Sequence, residues 1–269
     1  MIYGLYLSAT GVQTSAHRQD TIANNLANAE TVGFKKDLSL FRQRLTEAQE
    51  RRVSPGSRRP YGPLFPAAPT NLLLEPIGGG HEFQPTLIDT AQGELEPTGS
   101  PLDLAIEGGG YFAVVDSAGE TRLTRNGQFA VDSQGNLTLA NANGEKVLDL
   151  QRRPIRLEGG AADVYVGKDG TITQRGRAVA RVGLFDAPDR RRLVKHGGTL
   201  LSFGDQPITP VPAGASAIHG GFVERANVDA ATELAALMDT QRQLEANANM
   251  IRYQDQTLAK LVNEVGKIG

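Results

Sequence analysis

NNLANAETVGFKKD occupies residues 24–37, and its reading decides how the chain divides. Three Asn, at 24, 25 and 28, interrupt a segment that otherwise carries a helical apolar stripe. Asn is a mediocre helix former because its amide competes for backbone hydrogen bonds. Leu26 and the neighbouring Ala residues are read as packing, while Asn24, Asn25 and Asn28 offer paired donor and acceptor amides to neighbouring backbones. Gly33 then supplies the left-handed conformation that stops a helix, and Phe34 the apolar contact that accompanies such a cap.

Working outward from this stretch, residues 2–30 contain no Pro. Leu5, Ala9, Val12, Ala16, Gln19, Ala23 and Leu26 step alternately by four and three, a heptad-like seam for a partner helix. The far end of the chain mirrors this. Residues 228–265 lack both Pro and Gly, and Leu237, Gln241, Leu244, Ala248, Ile251, Asp255, Leu258, Val262 and Val265 keep the same spacing. A globular amphipathic helix seldom sustains that period so long. Gln241 and Asp255 fall in the seam, where polar residues lower stability but fix register. Asn227 and Asp229 are both candidates for its N-cap.

Between the helices the signal changes. Residues 51–80 are rich in Pro, Gly and Arg and read as a linker or extended arm. From about 83 to 223 come short alternating runs such as LDLAI, YFAVVD, TRLTR, NLTLA and TITQ. Asn126-Gly127, Gln134-Gly135, Asn143-Gly144 and Asp169-Gly170 punctuate them, as tight hairpins require. The expected class is α+β: an all-β, hairpin-rich centre flanked by long terminal helices that pair as a coiled-coil-like unit. The expected boundaries are 1–36 for the first helix, 37–82 for the arm, 83–225 for the β domain and 226–269 for the second helix.

Composition excludes much chemistry. The 269 residues carry a net charge of -2, so nothing calls for nucleic acid, and the Arg pairs and the Arg190-Arg191-Arg192 run fall in linker and loops. There is no Cys, hence no disulfide and no thiolate. No apolar run approaches the roughly 20 residues that span a bilayer. MIYGLYLSATGVQ, residues 1–13, has no Lys or Arg before its apolar stretch and reads as a poor Sec signal. The four His form no zinc motif, and no nucleophile elbow exists. The glycine runs at 107–112 and 167–171 lack phosphate-loop spacing and read as turns. DSQGN at 132–136 has too few oxygen ligands for calcium and reads as a hairpin. No catalytic, metal or cofactor residue is nominated.

Three ordered motifs resemble one family. ANNLANAETVGFKKD (23–37) is similar to the N-terminal signature of the bacterial flagellar rod and hook proteins. TGSPLDLAIEGGGYFAVVDSAGETRLTRNGQF (98–129) resembles that family's central block. GFVERANVDAATELAALMDTQRQLEANANMI (221–251) resembles its C-terminal signature. Length and N-terminus look most like the proximal and distal rod proteins, and residues 164–186 resemble the late β segment of the proximal type. Two departures are the uninterrupted Gly108-Gly109-Gly110 run and the Arg/Pro-rich arm at 51–69.

The resemblance implies a non-enzymatic, self-assembling subunit of the basal-body rod in the periplasmic space, which transmits torque across the envelope. It implies type III export without a cleaved Sec signal. The implied partners are copies of itself, other rod and hook proteins, and a flagellar export chaperone or export gate. Neither nucleic acid nor direct membrane insertion is implied. Subunit contact would fall on Leu5, Val12, Asn24, Asn25, Leu26, Asn28, Gly33, Phe34, Leu237, Gln241, Leu244, Ile251, Leu258 and Val262. The competing reading is a secreted β-rich binding or adhesion protein oligomerised by terminal coiled-coil helices.

Overall fold

The computed structural model describes residues 2–43, 80–141, 143–158 and 163–265. Most of the arm expected at 51–80 lies outside these residues. Two long helices stand at the ends, α1 (Ile2–Ala27) and α2 (Ala230–Val265), and β-strands fill the sequence between them. By contact the chain forms two compact units. One comprises Met1–Ile22, Ser39–Thr86 and Leu234–Gly269; the other comprises Ala23–Leu38 and Leu87–Glu233.

In the first unit, α1 and α2 approach each other at two glycines. The Gln254 side chain lies over Gly4 and that of Asn247 over Gly11, so closely that a methyl group at either glycine would sit 2.7–2.8 Å from an amide nitrogen. One helix steps forward by seven as the other steps back by seven, as antiparallel neighbours must. On α1 the buried positions between are Ser8 and Ser15, while Leu5 and Val12 are half-buried. The heptad reading is thus displaced on α1, because close approach of two backbones selects small side chains.

On α2 the covered stripe is Leu237, Thr240, Leu244, Asn247, Ile251, Gln254 and Leu258. Every second member was expected. The alternate column is Thr240, Asn247 and Gln254, with Ala248 half-buried beside it as expected; Gln241 and Asp255 are exposed, and so is Val262. Both columns obey helical spacing, so the small stripe on α1 makes the choice. Elsewhere in this unit Phe41–Gln43 pairs antiparallel with His81–Phe83, and His17 meets the Phe41 ring edge-on.

The second unit is β-rich. Among the described residues its main sheet runs Val194–Lys195, Leu200–Ser202, Thr121–Thr124, Tyr111–Val115, Lys146–Val147, Leu137–Leu139, Phe129–Val131, with Leu184–Asp186 also bound to Tyr111–Val115. Side chains alternate across a strand. Phe112 and Val114 enter one apolar core with Leu104, Ile106 and Ile172, while Tyr111 and Ala113 enter a second with Leu123 and Phe185. The central strand is therefore buried on both faces. A smaller sheet joins Val164–Val166, Thr171–Gln174 and Arg177–Arg181.

The expected runs all carry strands, but one turn differs. Gly127 does not close a hairpin; a methyl group there would strike the Leu104 carbonyl oxygen at 1.6 Å, and its own carbonyl accepts from the Leu104 N–H at 2.9 Å. The glycine admits a neighbouring backbone. The remaining tight turns share another device. Asp116, Asp132 and Asp169 each turn a carboxylate back onto N–H groups two residues on, and Asp116 and Asp132 also reach the fourth. All three carboxyls are held below the usual aspartate range, first by the Glu120 N–H at Asp116, by the Asn136 side chain at Asp132 and by the Thr171 hydroxyl at Asp169, with the other turn N–H groups adding to this.

Candidate functional site

Residues 24–37 belong to the second unit, and the polar groups of Asn25, Asn28, Lys35, Lys36 and Asp37 find partners there. Helix α1 ends at Ala27. The Asn28 side chain donates to the Asn24 carbonyl at 2.9 Å, as a second donor beside its own backbone N–H at 3.2 Å. Asn25 is buried and behaves as a strand would: its Nδ2 donates to the Asp37 carbonyl at 2.9 Å and its Oδ1 accepts from the Asp37 N–H at 2.8 Å. Asn24 is exposed and Leu26 half-buried.

Gly33 differs from its expected role. It lies in the loop beyond the end of α1, with φ at 69°, and its N–H donates to the Glu224 carbonyl at 2.7 Å. A methyl group there would fall 2.2 Å from the Asn126 nitrogen. Gly33 is thus required where the chain crosses residues 125–126, not where the helix stops. Phe34 is buried beneath Lys195, whose Nζ lies 3.5 Å from the ring centroid and donates to Asp37 Oδ2 at 2.8 Å.

The next residue reaches the most unusual environment in the molecule. Lys35 Nζ donates to Glu224 Oε1 at 2.5 Å and to the Ala91 carbonyl at 2.6 Å. Arg125 Nη1 donates to Glu224 Oε2 at 3.0 Å, its Nη2 donates to the Gly108 carbonyl at 2.8 Å, and its guanidinium lies 5.1 Å from the Tyr111 ring centroid. The Gly93 N–H completes the carboxylate shell at 2.9 Å. Exposures are 0% for Glu224, 3% for Lys35 and 4% for Arg125. Burial lowers the Lys35 pKa against the opposing pull of Glu224, and burial raises that of Tyr111. Stripping water from such ions is costly unless partners replace it.

Lys36 turns toward Glu233, with which it forms a salt bridge, and its N–H donates to Asn227 Oδ1 at 2.7 Å. Asn227 donates onward to the carbonyls of Asp89 and Ala91. Asp229, not Asn227, caps α2: its carboxylate accepts from the Ala231 N–H and the Thr232 hydroxyl. Those bonds, that of Thr232 first, lower its pKa.

Lys35, Arg125, Glu224 and Asn227 sit inside the three quoted motifs, so the motifs converge on one junction. Sequence reading missed all four as a set. The available signal was a charge set in an apolar frame, Glu224 after Phe222 and Val223, and Lys35 after Phe34.

The helix surface of the first unit is the other candidate. Tyr6, Met238, Met250, Tyr253, Leu261 and Val262 are exposed there, Tyr253 at 66% and Val262 at 71%. Ala246, Met250, Tyr253, Thr257 and Leu261 share one helical face by spacing, beside the covered stripe. The described residues hold no cluster of His, Asp or Glu suited to a metal ion, and no helix is long and apolar enough to cross a membrane.

Comparison with known proteins agrees with the motifs. Residues 5–35 match the family described as flagella basal body rod protein, residues 105–174 the flagellar hook protein FlgE/F/G D1 domain, and residues 219–264 the flagellar basal body rod FlgEFG protein C-terminal region. The flagellar basal-body rod protein FlgF of Rhizobium meliloti (strain 1021) is 30% identical over 263 residues, covering 98% of both chains. FlgF of Caulobacter vibrioides (strain ATCC 19089 / CIP 103742 / CB 15) is 31% identical over 264 residues, again 98% of both. FlgG of Bacillus subtilis (strain 168) is 30% identical over 277 residues, covering 98% of this chain and 99% of the relative. These relatives lend no support to the adhesion-protein reading. With all three motifs in place and full-length relatives of one kind, the chain belongs to the flagellar basal-body rod protein family and is a structural, non-enzymatic rod protein.

Proposed function

We propose that this rod protein polymerises through its terminal helices, pairing them as a coiled-coil-like core. The expected division at 1–36, 37–82, 83–225 and 226–269 belongs to this proposal, as do periplasmic placement, type III export, an export chaperone or gate as partner, and a position in the proximal rod. Head-to-tail contacts between identical subunits build a helical filament when the rotation does not close a ring. Torque would pass along that filament.

The carrying observation is the second apolar face of α2. Leu237, Leu244, Ile251 and Leu258 are half-covered within the chain, whereas Met250, Tyr253 and Leu261 share one exposed face by spacing; Gln241 and Val262 are exposed on other sides of the helix. Large apolar side chains gathered on one exposed face mark a surface for protein contact. Leu5, Val12 and the four leucine and isoleucine positions of α2 then hold the helices together, and Gln241 and Val262 are left for neighbours.

The double substitution Met250→Glu, Tyr253→Glu tests this. It should abolish motility and leave basal bodies without complete rods in electron micrographs, while the purified chain keeps its urea midpoint. Normal rods in that strain would end the proposal.

A further inference from the structure

The buried cluster holds two cations and one carboxylate, an imbalance that gives its members different roles. Lys35, Arg125 and Glu224 come from segments 189 and 99 residues apart in sequence, counted to Glu224. Glu224 is the acidic member of the cluster, and Lys35 and Arg125 both bind it. Asp89 acts on Lys35 as a weaker charge influence than Arg125 does. Without the carboxylate, two like charges in a water-poor site repel each other.

We infer that Glu224 is a latch: docking of residues 33–37 onto the β-rich unit is conditional on the strand Phe222–Glu224 being in place. Until that strand arrives, Lys35 is driven away from Arg125, and the N-terminal segment stays off. Once it arrives, three hydrogen bonds are made together, those of Lys35 and Arg125 to the carboxylate and that of the Gly33 N–H to the Glu224 carbonyl. The charge count sets Lys35 apart from Glu224. Removing Lys35 leaves a balanced pair with Arg125; removing the carboxylate leaves two unneutralised cations.

Amide hydrogen exchange of the full chain tests this, read at Gly33 and Asp37 and at the central strands Tyr111–Val115 and Thr121–Thr124. Glu224→Gln keeps the shape but sets an amide NH2 against one cation. It should speed exchange at Gly33 and Asp37 by about tenfold or more while the central strands change by less than about threefold, the pattern of local opening. Lys35→Met should leave both sites within about threefold of the parent. Adding Lys35→Met to Glu224→Gln should recover most of the lost protection. Equal acceleration everywhere in Glu224→Gln would make Glu224 an ordinary structural support and overturn the latch. Opening of Gly33 and Asp37 by Lys35→Met well beyond about threefold over the parent would overturn it too, and this comparison stands even if Glu224→Gln fails to fold. Failure of the double variant to recover protection is a third overturning result.

Discussion

The β-rich unit and the helical unit treat polar and apolar groups in opposite ways. In the first, apolar side chains are enclosed on both faces of the strand Tyr111–Val115, and even charged groups are buried with partners. In the second, the helices meet through Gly, Ser, Thr, Asn and Gln, while Met and Tyr stand in solvent. A unit of the first kind is complete by itself. One of the second kind half-covers Leu237, Leu244, Ile251 and Leu258 and leaves Met250 and Tyr253 exposed.

This contrast can be broken by perturbing the complete unit and seeing how much stability each site holds. Gly33→Ala should have the largest effect, a loss of about 3 kcal/mol in urea unfolding, because it combines positive φ with a collision against backbone. A loss below about 1 kcal/mol would mean that residues 33–37 can shift freely and are not part of the packed unit. Asn25→Ala comes next. It strands the N–H and carbonyl of Asp37, at a cost of about 2 kcal/mol. Asn28→Ala removes an exposed bond to a helix end and should cost less than about 1 kcal/mol. The two asparagines are therefore separable, and equal losses would contradict the geometry.

Acid gives the smallest effect. The carboxyls of Asp116, Asp132 and Asp169 have pKa values lowered by the turn hydrogen bonds they accept. Their contribution to stability is present above the unfolded value of about 3.9 and is lost as pH falls through the lower folded values. Thermal melts should be insensitive to these groups from neutrality to about pH 5 and decline below about pH 4. Asp132→Asn should blunt the decline slightly, and a steeper acid response in that variant would refute the assignment.

How much of this was legible in the sequence follows from the range over which each signal acts. The strands were readable because their signal is local: TITQ alternates and YFAVV is a short apolar run, and neither needs a distant partner to show it. The existence of α2 was equally plain. Its phase was not, since Thr240, Asn247 and Gln254 are polar and the column beside them, Gln241, Ala248 and Asp255, is hardly more apolar, so hydropathy does not choose between the two. Only Gly4 and Gly11 on the other helix explain the choice. Asn25 was read correctly as a backbone-pairing amide, and its partner, Asp37, lay within the same quoted stretch. The ion cluster was beyond reach because charge pairing across 189 residues leaves no periodic trace.

One detail of the strand pairing has a modular consequence. Pro97 and Phe222 face each other across an antiparallel pair, and the Thr98 N–H donates to the Gly221 carbonyl at 2.8 Å. The chain therefore enters and leaves residues 98–221 through one doorway, with both posts fixed to each other. Those 98–221 residues form a cassette, exchangeable in principle for a longer or shorter insert without moving either post. The exchange carries conditions: Arg125 and Lys195 belong to the cassette and their partners Glu224 and Asp37 to the frame, so a replacement must bring its own cations to the door.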